Sequence, residues 1–158
     1  MDNMNLISIT GVVQRITSMS EDCCSQLVTI RNQEGITNIV ISPDTYVVDT
    51  VRIRIGMRVT AFYDANLPAP LIFPPQFQAA IIGRSNPNET VYVGYFDETL
   101  LAEDQSLQLH ISYDTEIVTS NGQNYTCSVE NHVLIVYYSI TTRSNPPQTS
   151  PRKIIVIC

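Results

Sequence analysis

The sequence predicts an all-β chain built as two tandem small β-barrels of the OB type, the product of a degenerate internal duplication. Three observations carry that expectation. Short runs of β-branched and aromatic residues recur at roughly 8–12-residue spacing, with turn chemistry between them. No window of about eleven residues holds apolar positions at a helical period. Two stretches also repeat in the same order: Ser42-Pro43-Asp44-Thr45 returns as Ser112-Tyr113-Asp114-Thr115, and VTAFYDANLPAPLIFPPQFQAAII lines up with VLIVYYSITTRSNPPQTSPRKIIVI.

Taken in order, residues 1–10 read as an N-terminal arm or added strand. Ile7 and Ile9 alternate with Leu6, Ser8 and Thr10, a pattern suited to an open sheet edge in the same or another chain. The first barrel spans residues 11–83. Its strands are expected over residues 6–16 (continuing the arm), 27–30, 36–41, 51–55 and 59–63. Asn32-Gln33-Glu34-Gly35 turns one hairpin, and residues 43–49 hold at most one short helical turn. GRSNPNET supplies the linker at residues 84–90, polar and turn-forming. The second barrel takes residues 91–158. Gly11 and Gly94 stand near the start of the two repeats.

The stretch between the last two strands of each repeat keeps Pro-Pro-Gln but not its neighbours. Leu71-Ile72-Phe73 in the first copy is replaced by Arg143-Ser144-Asn145 in the second. A duplicated recognition site would keep its contacting side chains, so the element reads as scaffold. Proline fixes φ and disfavours α geometry at the preceding residue, which makes Phe73-Pro74-Pro75 a stiff polyproline-type segment. Leu71, Ile72, Phe73 and Phe77 are nonetheless more apolar than a free loop requires. They form a candidate assembly surface, packed on their own barrel or on a neighbouring subunit.

YDANLPAPLIFPPQFQA, preceded by Asp44-Thr45-Tyr46 and Gly56-Met57-Arg58-Val59, resembles a recurring pattern in small β-barrel proteins of clostridial Firmicutes. The likeness covers roughly residues 11–82. It implies a small barrel from an anaerobic, spore-forming lineage and brings no activity with it.

Charge narrows the partners. The chain carries nine Lys+Arg against fifteen Asp+Glu, a formal charge of −6, and charged residues are only 15% of the total. Acidity disfavours nucleic acid and anionic lipid as electrostatic partners. A surface of neutral polar groups repels its copies weakly, which favours self-association. No apolar run reaches the roughly 20 residues of a membrane helix. MDNMNLISIT has no basic region ahead of an apolar one, so synthesis in the cytoplasm without a signal peptide is expected, with a spore or cell surface reached after lysis.

The cysteines are Cys23, Cys24, Cys127 and Cys158, in neither a zinc-ribbon nor a thioredoxin spacing. Cys23 and Cys24 are adjacent in what reads as a polar turn, and Cys158 follows an apolar strand. Inert thiols are one reading; inter-subunit disulfides through Cys23, Cys24 and Cys158 are the other, with a metal site third. In cysteine placement alone the chain is similar to bacterial endospore-appendage subunits, whose exposed cysteines cross-link stacked protomers.

Catalytic chemistry finds no footing. His110 and His132, the two histidines, belong to no HExxH, and GxSxG, P-loop and GxGxxG are missing. Asp97-Glu98 and Glu103-Asp104 lack the glycine and alternating carboxylates of a calcium loop, so a solvated hairpin is expected. Arg52, Arg54 and Arg58, with Tyr63 nearby, offer an alternative binding face for a protein or a single strand; cross-strand pairing with Asp44 or Asp49 is the simpler account. Asn88-Glu89-Thr90 and Asn124-Tyr125-Thr126 fit the glycosylation sequon without meaning in a bacterial cytoplasm. The expected function is a non-enzymatic structural subunit without cofactor or metal, self-assembling with copies of itself into a filament.

Overall fold

A computed structural model describes residues 5–19 and 21–158. The chain is all-β and divides into two compact units, Met1–Pro87 and Asn88–Cys158.

The first unit opens with a long strand, β1 (Leu6–Met19), followed by β2 (Asp22–Asn32) and β3 (Gly35–Ile41). β4 (Tyr46–Val47) runs into a single 3-10 turn, Val48–Thr50, and β5 (Arg58–Asp64) and β6 (Gln76–Arg84) complete the unit. β1 pairs twice: its first half lies against β5, with Leu6 opposite Asp64, and its second half against β2, with Val12 opposite Arg31. β2 continues to β3, and β6 is antiparallel to β5 but parallel to β3. Val13, Val28, Ile30, Ile39, Val59, Ala61, Ala79 and Ile82 pack as one core. Strand alternation explains most of this set, since residues two apart share a face.

The second unit contains β7 (Thr90–Phe96), β8 (Gln108–Leu109), β9 (Glu116–Thr119), β10 (His132–Tyr138), β11 (Gln148–Thr149) and β12 (Lys153–Ile157). Its main sheet has the order β7-β10-β12-β9, with β9 and β12 parallel; β8 and β11 form a separate parallel pair. Phe96, Leu107, Leu109, Leu134, Val136, Ile154 and Val156 make its core. Lys153, the chain's single lysine, is buried.

The two Ser-x-Asp-Thr motifs do the same work. The Thr45 hydroxyl donates to the Ala79 carbonyl at 2.8 Å and accepts from the Ser42 amide at 3.0 Å. The Thr115 hydroxyl donates to the Pro151 carbonyl at 2.7 Å and accepts from the Ser112 amide at 3.3 Å. Each threonine precedes a strand that runs parallel to the last strand of its unit. The Pro-Pro-Gln elements match as well: the Asn38 amide donates to Pro75 and the Gln108 amide to Pro147, at 2.8 and 2.9 Å.

Several sequence expectations need correction. Residues 51–55 form no strand. Asp49 and Thr50 both take positive φ just before them, and Gly56, at φ 88°, ends the segment, so no neighbouring strand comes alongside. Residues 6–10, expected as an arm or an added strand, form the first half of β1 and pair with β5 within their own unit; residues 1–4 lie outside the described residues. Cys23 and Cys24 belong to β2 rather than to a turn, because Asp22 already pairs back with Met19. Phe73-Pro74-Pro75 is no straight polyproline rod: the chain bends at Phe73 and Pro74, and their peptide is cis.

Thr45→Val and Thr115→Val each remove a hydroxyl and leave a buried carbonyl without its donor, which costs about 1–3 kcal/mol. Urea denaturation should show that loss for both variants, with Thr45→Ser and Thr115→Ser retaining most of the stability.

Candidate functional site

The first unit carries an open cleft of about 1100 Å³. β1 builds one wall, the β2–β3 hairpin crosses it, and the start of β6 closes one end. Two register pairs set its electrostatics. Val12 stands opposite Arg31 on one side and Arg58 on the other, so the two arginines flank it on one face of a three-stranded row. Val12 is exposed, and neither Arg31 nor Arg58 forms an ion pair among the described residues. Gly11 lets the strands approach at this point. A Cβ there would stand 2.5 Å from the Arg31 carbonyl oxygen.

Aromatic rings supply the other half of the cleft. Tyr63 at the end of β5 and Phe77 at the start of β6 stack with centroids 3.9 Å apart and planes 10° from parallel. Phe73 stands at the rim, 93% exposed. Of the alternative face expected from sequence, the cleft takes in Arg58 and Tyr63. Arg52 and Arg54 are exposed on the segment outside its lining. Arg31 was missed, because its place beside Arg58 depends on strand pairing across 27 residues (58 − 31) rather than on local spacing.

The apolar loop between β5 and β6 borders the same cleft. Leu67, Leu71, Ile72 and Phe73 are 57%, 104%, 53% and 93% exposed. Phe77, grouped with them from sequence, is instead half-buried in its stack with Tyr63. Three of the four expected assembly residues are therefore on the surface.

All four cysteines are free and exposed. Cys23 and Cys24 share the start of β2, where the Asp22 carboxylate accepts from the Cys24 amide at 2.9 Å and from the Ser25 hydroxyl at 2.7 Å. The histidines are engaged locally: His110 Nε2 with Gln148 Oε1 at 2.7 Å, and His132 Nδ1 with the Glu130 carbonyl at 2.7 Å. Among the described residues no group of three His, Cys, Asp or Glu could hold a metal.

The acidic stretch around residues 97–104 spends its carboxylates on its own loop. Asp97 Oδ1 accepts from the Thr99 hydroxyl at 2.7 Å and from the Thr99 and Leu101 amides at 2.8 and 3.1 Å. These bonds, the Thr99 hydroxyl first, hold its carboxyl below the usual range. Partial burial pushes Asp104 up, but hydrogen bonds from the Ser106 hydroxyl and amide and from Tyr92 outweigh it and hold it low as well. Tyr92, half-buried and facing that carboxylate, is raised to about 12.

Compared with protein-family models and with curated proteins, the chain finds no match.

The Asp97 geometry gives a direct expectation. A folded-state pKa held low contributes stability that is present above the unfolded value and is lost as pH falls through the folded one. NMR titration of the Asp97 carboxyl should give a pKa below 3.8. Thr99→Ala should move it back towards that ordinary value. A midpoint unmoved by the substitution would contradict the hydrogen-bond account.

Proposed function

We propose that this protein is a non-enzymatic structural subunit that associates with copies of itself through the apolar β5–β6 loop of its first unit. One observation carries the reading: Leu67, Leu71, Ile72 and Phe73 are more than half exposed within a single seven-residue stretch. Isolated exposed hydrophobes are ordinary; a contiguous group of large ones is the mark of a contact surface. The low charge of the chain weakens the repulsion that such a contact must overcome. Cys23 and Cys24, exposed in the first unit, and Cys158 are available for covalent links between copies. A contact that joins the loop to a different patch on the next copy is heterologous and propagates as a filament. In this reading the assembly belongs to a spore or cell surface, an expectation resting on the likeness noted from sequence.

The scaffold we propose is a pair of OB-like barrels descended from one duplicated ancestor. Support comes from the pairing cycle of the first unit, in which β1 meets β2 and β5 while β6 meets β5 and, in parallel, β3. The second unit repeats the threonine and Pro-Pro-Gln contacts but has no counterpart to the long β2–β3 hairpin among its described residues.

Sedimentation velocity tests the assembly. The wild-type protein should grow in mass with concentration, and Leu71→Asp with Phe73→Asp should hold it at 17.7 kDa. A wild-type chain that remains monomeric at high concentration would sink the proposal. On non-reducing gels, a ladder that collapses with thiol supports the covalent links.

A second reading is favoured by the cleft. Arg31 and Arg58 come together there with Glu34 as the single acidic lining residue among the described residues, giving local positive charge on a chain of net −6. With Phe73 free to stack, the site suits an extended anionic ligand, a single-stranded nucleic acid or an acidic protein segment. Fluorescence anisotropy with labelled oligothymidylate and with a poly-glutamate peptide at low salt separates the two. Arg31→Glu with Arg58→Glu should weaken binding at least tenfold, about 1.4 kcal/mol. Absence of binding to both probes by the wild-type chain removes this reading.

A further inference from the structure

One end of the second unit gathers two thiols, an imidazole and a phenol. β12 runs antiparallel to β10 with Ile157 opposite Val133, so Cys158, the next residue, stands at the end of that ladder beside His132. The His132 ring meets Tyr125 edge-on, with centroids 6.1 Å apart and planes at 75°. The Tyr125 hydroxyl donates to the Ser128 carbonyl at 2.7 Å, which ties the phenol to the residue after Cys127. Cys127 and Cys158 thus flank one Tyr–His pair, and both are exposed and free. Desolvation raises the Tyr125 phenol, and the charges of Cys127 and Cys158 raise it further.

We propose that Cys127 and Cys158 are an intramolecular redox pair that a small-molecule disulfide, such as oxidised glutathione, converts into a disulfide pinning the end of β12 to the segment before β10. A bridge needs the two Cα atoms within about 7 Å. Neither cysteine is held in a strand. The thiolate of one cysteine attacks a sulfur of the reagent, whose S–S bond breaks and whose departing thiolate takes up a proton. The second cysteine's thiolate then attacks the protein-bound sulfur of the mixed disulfide, expelling the second glutathione thiol. Two electrons pass from the protein thiols to the reagent, which leaves as two thiols. This assignment departs from the assembly reading at Cys158, which it uses within the chain, and leaves Cys23 and Cys24 for links between copies.

The test uses the full chain carrying Cys23→Ser and Cys24→Ser, with the wild type in parallel as a control for folding. The dilute reduced protein is incubated with oxidised glutathione, blocked with iodoacetamide, and analysed by intact mass and peptide mapping. The expected product is a monomer without alkylated cysteine, lighter than the reduced chain by about 2 Da, whose digest contains one cross-linked species joining Cys127 to Cys158. Its melting midpoint should rise by about 5 °C or more over the reduced form. Cys127→Ser should leave Cys158 as a glutathione adduct. Folded protein in which both cysteines end as separate adducts, or in which either links two chains, overturns the proposal, and so does the same outcome in the wild type.

Discussion

A single hydroxyl in each unit holds the last strand together. In the first unit, β6 meets β3 in parallel as far as Gln78 and meets β4 from Ile81 onward. Between these partners the ladder is interrupted, and the Ala79 carbonyl falls in the interval. Thr45 fills it with a side-chain donor. The second unit has the same discontinuity between Thr149 and Lys153, and Thr115 supplies the Pro151 carbonyl. Buried carbonyls must be satisfied, and a change of strand partner cannot otherwise be made without loss. The threonine is therefore what permits the chain to leave one neighbour and take another.

That handover shapes the first unit's surface. Because β6 begins against β3, its entry residues Pro75 and Phe77 come beside the cleft, and the connection from β5 must travel outside the sheet. Its apolar side chains have no strand face to pack on. The exposure of Leu71 and Phe73 is a consequence of topology as much as of composition. The second unit uses the same handover with a polar connection, Arg143-Ser144-Asn145, which keeps itself in place through Thr142 and Ser144. One frame carries two surface chemistries.

The all-β class, β3, β5 and the threonine motifs were legible from sequence because they rest on local information. A period-two pattern or a Ser-x-Asp-Thr turn is complete within a few residues. Residues 51–55 show the limit: the Val-Arg-Ile-Arg-Ile alternation is present, yet a strand also needs a neighbour, and the positive φ at Asp49 and Thr50 steers the segment away from one. Cys23 and Cys24 read as part of a polar turn, but they open β2, whose start the Asp22 carboxylate secures. The cleft was half legible. Arg58 and Tyr63 were marked by composition, whereas Arg31 joins them solely through pairing across β1. The place of Cys158 beside His132 had no sequence signal, since it depends on which residue of β12 faces Val133.

The burial of Lys153 has a practical corollary. Lys153 is the single lysine of the chain. Aldehyde fixatives and succinimidyl esters, which act on primary amines, have at most this one mostly covered lysine to grip on the body of the protein, so their failure to trap neighbours would say little about whether neighbours are there. Maleimides and carbodiimides, which address sulfur and carboxylate, find abundant targets.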